Sequence, residues 1–230
     1  MMQSKKRLKI LIIRLKPVGD TILISSVFRN LKRIYPDSII DIVVYPSAAD
    51  AIGDNPYINR TIILKRKNLP KLIFYFKMIF SHYDMTIDFI NNPTSTLIAL
   101  FTGAKIKIGN RNLRNFFYTH RVNYDKIVYS PIRSLSLLQP LGLNDFSDFM
   151  PEFFIKKSDK KQSENILKNK KIKKLDKLVG FLLLLNMKQE SIFLNIMLNW
   201  LLKLYQSLNV KFYSYSAKVI EKVIKELSAS

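Results

Sequence analysis

The turn that runs from Arg14 through Lys16, Pro17, Val18, Gly19 and Asp20 to Thr21 holds the residues most suited to chemistry. It lies where an apolar run gives way to a helical period, the position at which open α/β sheets bind their ligands. Gly19 permits close backbone approach or a positive φ. Asp20 then has three readings. It can be a helix N-cap that accepts backbone N–H bonds. It can belong to a dinucleotide site, but the chain has no G-x-G-x-x-G, and its second strand ends in Tyr45-Pro46 rather than an acid for a ribose. It can be a carboxylate facing a cleft, where a helix N-terminus favours the ionised form and the group takes a proton from an attacking sugar hydroxyl.

Other reactive types are scarce. The chain has no cysteine, which excludes a disulfide framework, a cysteine nucleophile and a thiolate zinc site. Its two histidines, His82 and His120, leave little room for a histidine-rich metal centre, and no metal site is expected. The stretch with Arg111, Arg114, Tyr118, His120 and Arg121 mixes cations with aromatics. That mixture suits anion binding or base stacking, and equally a solvated loop.

The elements that must hold the turn follow from periodicity. Leu8 to Leu15 reads as a buried parallel strand. Ile24, Val27, Phe28, Leu31 and Tyr35 form one face of a helix spanning Thr21 to Tyr35. Strands are expected at 39–45, 61–64, 85–90 and 105–108, with helices at 47–52, 69–80, 95–102 and 131–141 between or after them. The helix at 69–80 is apolar nearly all round, so burial on the sheet is expected, with a membrane-surface helix as the alternative. Asn110 to Tyr129 reads as a loop. Residues 178–227 repeat the pattern as strand, helix, strand, helix.

Several short matches in order carry a resemblance. They are Lys9-Ile10-Leu11-Ile12-Ile13-Arg14, Val18-Gly19-Asp20, Leu31-Lys32 with Tyr35-Pro36-Asp37, Ile40-Asp41-Ile42-Val43-Val44 and Asn55-Pro56-Tyr57-Ile58-Asn59. Looser matches follow at Tyr83 to Asp88, Thr102 to Lys105, Leu137-Leu138 and Leu141-Gly142-Leu143. The chain thereby resembles the lipopolysaccharide heptosyltransferases, the ADP-heptose-dependent glycosyltransferase family 9. The resemblance is nearest to core enzymes of the third-heptose type.

The resemblance implies a GT-B architecture: an amino-terminal Rossmann-like domain that holds the acceptor, and a second α/β domain that holds the nucleotide sugar. On that pattern residues 1–155 form the acceptor domain, 156–176 a basic linker with a polar helix, and 177–230 part of the donor domain. The chain then ends about half a domain early, as a truncated copy would. The implied reaction transfers heptose from ADP-heptose to the lipopolysaccharide core, with inversion and without a metal or other cofactor. Asp20 falls on the family's base. Arg14, Lys16, Gly19 and Thr21 would meet the acceptor and its phosphates. In the stretch from Phe181 to Glu190 the family's small residues are missing, and Asn186 and Lys188 remain as donor ligands. An inactive remnant of such an enzyme is the alternative.

Composition bounds these readings. The 230 residues are 48% apolar, enough for a real core. Thirty-eight Lys and Arg against 17 Asp and Glu give a net charge of +21, which favours an anionic partner. A phosphorylated lipid A–core acceptor and the anionic surface of the inner membrane both qualify, and the chain is expected to be cytoplasmic and peripheral. A basic nucleic-acid-binding module is the third reading, although no recognised motif accompanies the charge, and no specific nucleic-acid partner is expected. Nine of the lysines lie between Lys156 and Lys174, where a solvated linker accounts for them. Leu178 to Met187 is too short to cross a bilayer, so no transmembrane helix is expected.

Overall fold

Alternating residues of the first apolar run are buried on opposite sides of one sheet. In a computed structural model, which describes residues 7–65, 70–111, 117–123 and 128–169, this run is strand β1 (Lys9–Ile13). Ile10 and Ile12 join one apolar cluster, while Leu11 and Ile13 join the other. A strand covered on both faces needs no polar side, which is why the run is continuously apolar.

The chain then alternates helix and strand. Helices α1 (Val18–Ile22) and α2 (Ser25–Ile34) lead to β2 (Ile39–Val44), and α3 (Pro46–Ile52) leads to β3 (Arg60–Ile63). Helix α4 (Pro70–Ile79), β4 (Met85–Asp88), α5 (Pro93–Phe101) and β5 (Ile106–Asn110) follow. Next come β6 (His120–Val122), α6 (Ser130–Ser136) and a single 3-10 turn at Gln139–Leu141. The six strands are all parallel in the order β3-β2-β1-β4-β5-β6. This is the doubly wound α/β class that the sequence implies.

Side chains of α2, α3 and α6 fill one face of the sheet, where Phe28, Leu31, Ile52 and Leu135 meet Ile12, Ile42 and Ile87. Met78 of α4 and Ile98 of α5 fill the other against Leu11, Ile13 and Val43. Each such side chain contributes about 1.5–3 kcal/mol by leaving water. A buried polar group also spans the strands: Asp41 on β2 accepts from the Tyr83 hydroxyl (2.7 Å), Asn59 Nδ2 (2.9 Å) and Arg60 Nη2 (3.0 Å).

Four expectations change. The helix over Thr21–Tyr35 is two helices, broken at Leu23 and Ile24. Thr21, Ile22, Ile24, Ser25 and Ser26 are poor helix formers, and Ile24 leaves helical geometry at φ −94°, ψ 8°. The Asn110–Tyr129 loop contains strand β6, whose three residues are too few to show a period. The helix expected at 131–141 ends at Ser136 and is followed by the separate 3-10 turn. Helix α4 is not buried all round: Ile73, Phe76, Ile79 and Phe80 are exposed, because a helix on a sheet buries one side only.

The chain divides into two compact units, Met1–Lys156 and Lys157–Ser230. In the second, helix α7 (Lys157–Asn169) has no buried residue. The strands and helices expected over 178–227 lie outside the described residues. Among those residues, no helix is long and apolar enough to cross a membrane.

Candidate active site

The strand order reverses between β1 and β4, so the chain segments leaving these two neighbours diverge and open a crevice at their carboxyl ends. A cleft of about 290 Å³ lies there, lined by Arg14, Lys16 and Asp20 from the β1 turn, Asp88 and Phe89 from the end of β4, and Arg133 of α6, among others.

The start of α1 decides how Asp20 is presented. Pro17 is the cap residue, still extended at φ −57°, ψ 166°, and the helix begins at Val18, three residues before the expected start. Asp20 is therefore the third residue of the helix and caps nothing; the cap position is Pro17, without a side-chain cap bond. This corrects the N-cap reading. The Asp20 carboxylate stands at the cleft with 44% of its side chain exposed.

Arg14 is turned the other way. It is 8% exposed, and its guanidinium donates to backbone carbonyl oxygens: Nε and Nη2 to Asp20 (3.1 and 2.9 Å), and Nη1 to Phe89 (3.3 Å). Its Nη2 lies 3.9 Å from Asp20 Oδ1. Arg14 thus ties the β1 turn to the β4 turn across the crevice. The fork geometry of a guanidinium suits two such carbonyls, as an ammonium would not.

The other residues expected to meet an acceptor divide. Lys16 is exposed on the rim of the cleft. Thr21 is fully buried, and its hydroxyl lies within hydrogen-bonding distance of the carbonyl oxygens of Pro17 (3.1 Å) and Lys16 (3.3 Å), closing the first turn of α1. Direct acceptor contact by Thr21 is corrected on that ground. Gly19 is helical and not at positive φ, and among the described residues nothing lies within 4 Å of where its Cβ would stand. Asn186 and Lys188 lie outside the described residues.

Asp88, Arg133 and Ser130 are cleft residues that the reading of the sequence missed. An acid closing a fully buried strand, Met85-Thr86-Ile87-Asp88, was the available signal for Asp88. Its Oδ1 accepts the N–H groups of Ile90 (2.8 Å) and Asn91 (3.1 Å), and its Oδ2 accepts the Tyr118 hydroxyl (2.5 Å). Full burial raises its pKa above the usual carboxylate value, and these hydrogen bonds oppose the rise. The Tyr118 hydroxyl is raised well above its ordinary value, first by burial and then by the Asp88 charge. Asp88 shapes the β4 turn, and of the two acids lining the cleft Asp20 presents the open carboxylate.

The cation and aromatic stretch does not form one surface. Tyr118 is buried, Arg111, His120 and Arg121 are exposed, and Arg114 lies outside the described residues. His82 is an exposed turn residue at φ 48°. Among the described residues, no group of three His, Asp or Glu side chains could hold a metal ion.

Comparison with known proteins gives a consistent set of relatives. No family model matches the chain. It is 29% identical over 145 residues to lipopolysaccharide heptosyltransferase 3 of Escherichia coli K12, and 27% identical over 141 residues to a second E. coli protein of that name. The matches cover 56% and 55% of this chain and 41% of each relative, so the chain spans about two fifths of the curated proteins it matches. Among solved structures it is similar to the glycosyl transferase family 9 protein of Veillonella parvula, with a TM-score of 0.67 and 20% identity over 76% of this chain and 54% of that one. It is also similar to E. coli ADP-heptose lps heptosyltransferase II, with a TM-score of 0.58 and 22% identity over 70% of this chain and 50% of that one. These structures share its α/β fold.

Proposed function

We propose that the chain carries the acceptor side of a glycosyltransferase of lipopolysaccharide core assembly, and that Asp20 is its general base. The observation that carries this reading is the half-exposed Asp20 carboxylate, held by Arg14 at the β1–β4 crevice of a fold similar to that of heptosyltransferases.

In the proposed reaction a hydroxyl of the saccharide acceptor attacks the anomeric carbon of ADP-heptose from the side opposite the diphosphate. Asp20 takes the hydroxyl proton as the new glycosidic bond forms. The bond from the anomeric carbon to the diphosphate breaks, its electron pair stays on the phosphate oxygen, and ADP leaves with inversion at carbon. Lys16 supplies positive charge for acceptor phosphates at the rim. Asn186 and Lys188 are the proposed donor ligands. The acceptor is lipid-linked, so the proposed place of action is the cytoplasmic face of the inner membrane.

Asp20→Asn tests this reading. The side chain is half exposed and caps nothing, so the fold and its melting temperature should be retained. Transfer from ADP-heptose to an isolated core acceptor should fall by about 10²–10⁴, the range of general-base catalysis. Unchanged turnover removes the assignment.

A second reading, acceptor binding without transfer, is favoured by the lack of small residues between Phe181 and Glu190. Titration calorimetry with ADP separates the two. Saturable binding supports a working donor side, and no heat at millimolar ADP supports the second reading.

A further inference from the structure

Helix α4 shows an apolar stripe to solvent. Ile73, Phe76 and Phe80 follow one another at i, i+3 and i+7, and are 59%, 53% and 73% exposed. Ile79 is exposed beside them, and α5 adds exposed Leu97 and Phe101. The two helices are joined beneath by Tyr75, which stacks on Phe101 with ring centroids 5.1 Å apart. Met78 turns inward to the sheet. The face is therefore backed by the sheet through Met78 and tied across the two helices by the Tyr75–Phe101 stack.

Charge identifies what the face meets. From Asn55 to Tyr83 the sequence has no acidic residue, but it has Arg60, Lys65, Arg66, Lys67, Lys71 and Lys77. Lys77 is exposed on α4 itself. Aromatic and aliphatic side chains bordered by cations are the two features an interfacial helix combines: apolar area for the acyl boundary, and attraction to anionic headgroups. A protein partner could use the apolar area, but an acid-free stretch of 29 residues, with Lys65 and Lys77 exposed, matches an extended anionic plane better. The face lies on the side of the sheet away from α2 and α6, and none of its residues lines the Asp20 cleft.

We propose that the exposed α4–α5 face, centred on Ile73, Phe76 and Phe80, seats this protein on the surface of an anionic phospholipid bilayer. The contact goes beyond the chemistry of the cleft and uses none of its residues.

The test is vesicle flotation of the full chain. Vesicles of phosphatidylcholine alone are compared with vesicles containing about one third phosphatidylglycerol, a fraction chosen to give a strong anionic surface. Neither holds acceptor or donor, so failure of glycosyl transfer cannot affect the result. The chain should float with the anionic vesicles and far less with the neutral ones. Phe76→Ser with Phe80→Ser should lower the bound fraction about tenfold or more, with an unchanged circular dichroism spectrum. In a Trp200→Phe background, Phe80→Trp should be quenched by brominated acyl chains. Three outcomes overturn the proposal: no flotation with anionic vesicles, flotation of the double variant equal to that of the unaltered chain, or no quenching at position 80. A dimer that the double variant dissociates, without flotation of the unaltered chain, would instead assign the face to a second copy.

Discussion

Arg14 holds Asp20 by its backbone: Nε and Nη2 of the guanidinium converge on the Asp20 carbonyl oxygen at 3.1 and 2.9 Å, leaving the carboxylate facing the cleft. Its remaining nitrogen bonds Phe89, so one side chain sets the distance between the two turns that flank the crevice. Arg14 is in this sense a positioning residue, acting on the proposed base without meeting the reacting atoms. Arg14→Lys keeps the charge but loses the fork. Stability should fall by about 1–3 kcal/mol as buried carbonyl groups lose donors. The value of kcat should fall about 10–100-fold, since small displacements of a reacting group are costly. KM for the acceptor should change less than about threefold. A raised acceptor KM at unchanged kcat would make Arg14 a phosphate ligand instead.

Gly19→Ala separates stability from function. The residue is helical, and no described residue lies where the new methyl would go. Alanine favours a helix over glycine by about 0.5–1 kcal/mol, so the melting temperature should hold or rise. Transfer should nevertheless slow if the acceptor uses the open space beside Gly19, the proposed acceptor contact next to Asp20. Equal transfer rates would show that no ligand needs that space.

Tyr118→Phe removes the hydroxyl that donates to Asp88 Oδ2. Near neutral pH this should cost about 1–3 kcal/mol, the penalty of a buried acceptor left without a partner. The penalty should depend on pH. Burial raises the folded-state pKa of Asp88 above its unfolded value, so the folded protein takes up this proton more readily than the unfolded chain. As pH falls through the folded value, the carboxylate becomes neutral and the loss of its donor matters less. Urea denaturation of the variant and the unaltered chain, repeated at successively lower pH, should show the gap narrowing.

Asp148 gives the opposite sign. Arg29 hydrogen-bonds it through Nη2 and through Nε (2.8 Å), and Arg33 Nη1 lies 2.5 Å from Oδ2. The Arg29 bond holds the Asp148 carboxyl below its ordinary value. Such a group stabilises the fold above its unfolded pKa of about 3.9 and loses that contribution as pH falls through the lower folded value. Asp148→Asn should therefore destabilise near neutral pH and lose little more on acidification. The two denaturation curves should begin to approach one another below the unfolded pKa of about 3.9 and meet only once pH has fallen through the lower folded value, where the carboxyl is neutral. A constant difference from pH 7 to pH 3 would show that the ion pairs contribute nothing.

The sequence by itself determined the local alternation. Continuous apolar runs at β1 and β2, the helical stripe from Ile24 to Leu31, and the glycine-aspartate turn between strand and helix were legible, because each depends on neighbours a few residues apart. Asp20 could be singled out on the same ground. Its role could not, since the N-cap reading and the open carboxylate differ only in where α1 begins, and that point is Val18, with Pro17 at the cap.

Only the tertiary structure decided which polar groups remain free. Arg14 and Thr21 look as available as Lys16 in the sequence, yet the first bonds Phe89, 75 positions away, and the second is sealed against Pro17. Strand β6 exists because β5 offers an open edge, and Tyr118 is buried because Gly109 leaves room for its ring: a Cβ there would lie 2.8 Å from it. Helix α4 has enough apolar residues for burial on all sides, but one sheet can cover only one of them. Periodicity reports which residues share a face. What lies against that face depends on strand order and crossover, which bring distant segments together through contacts that no local pattern encodes.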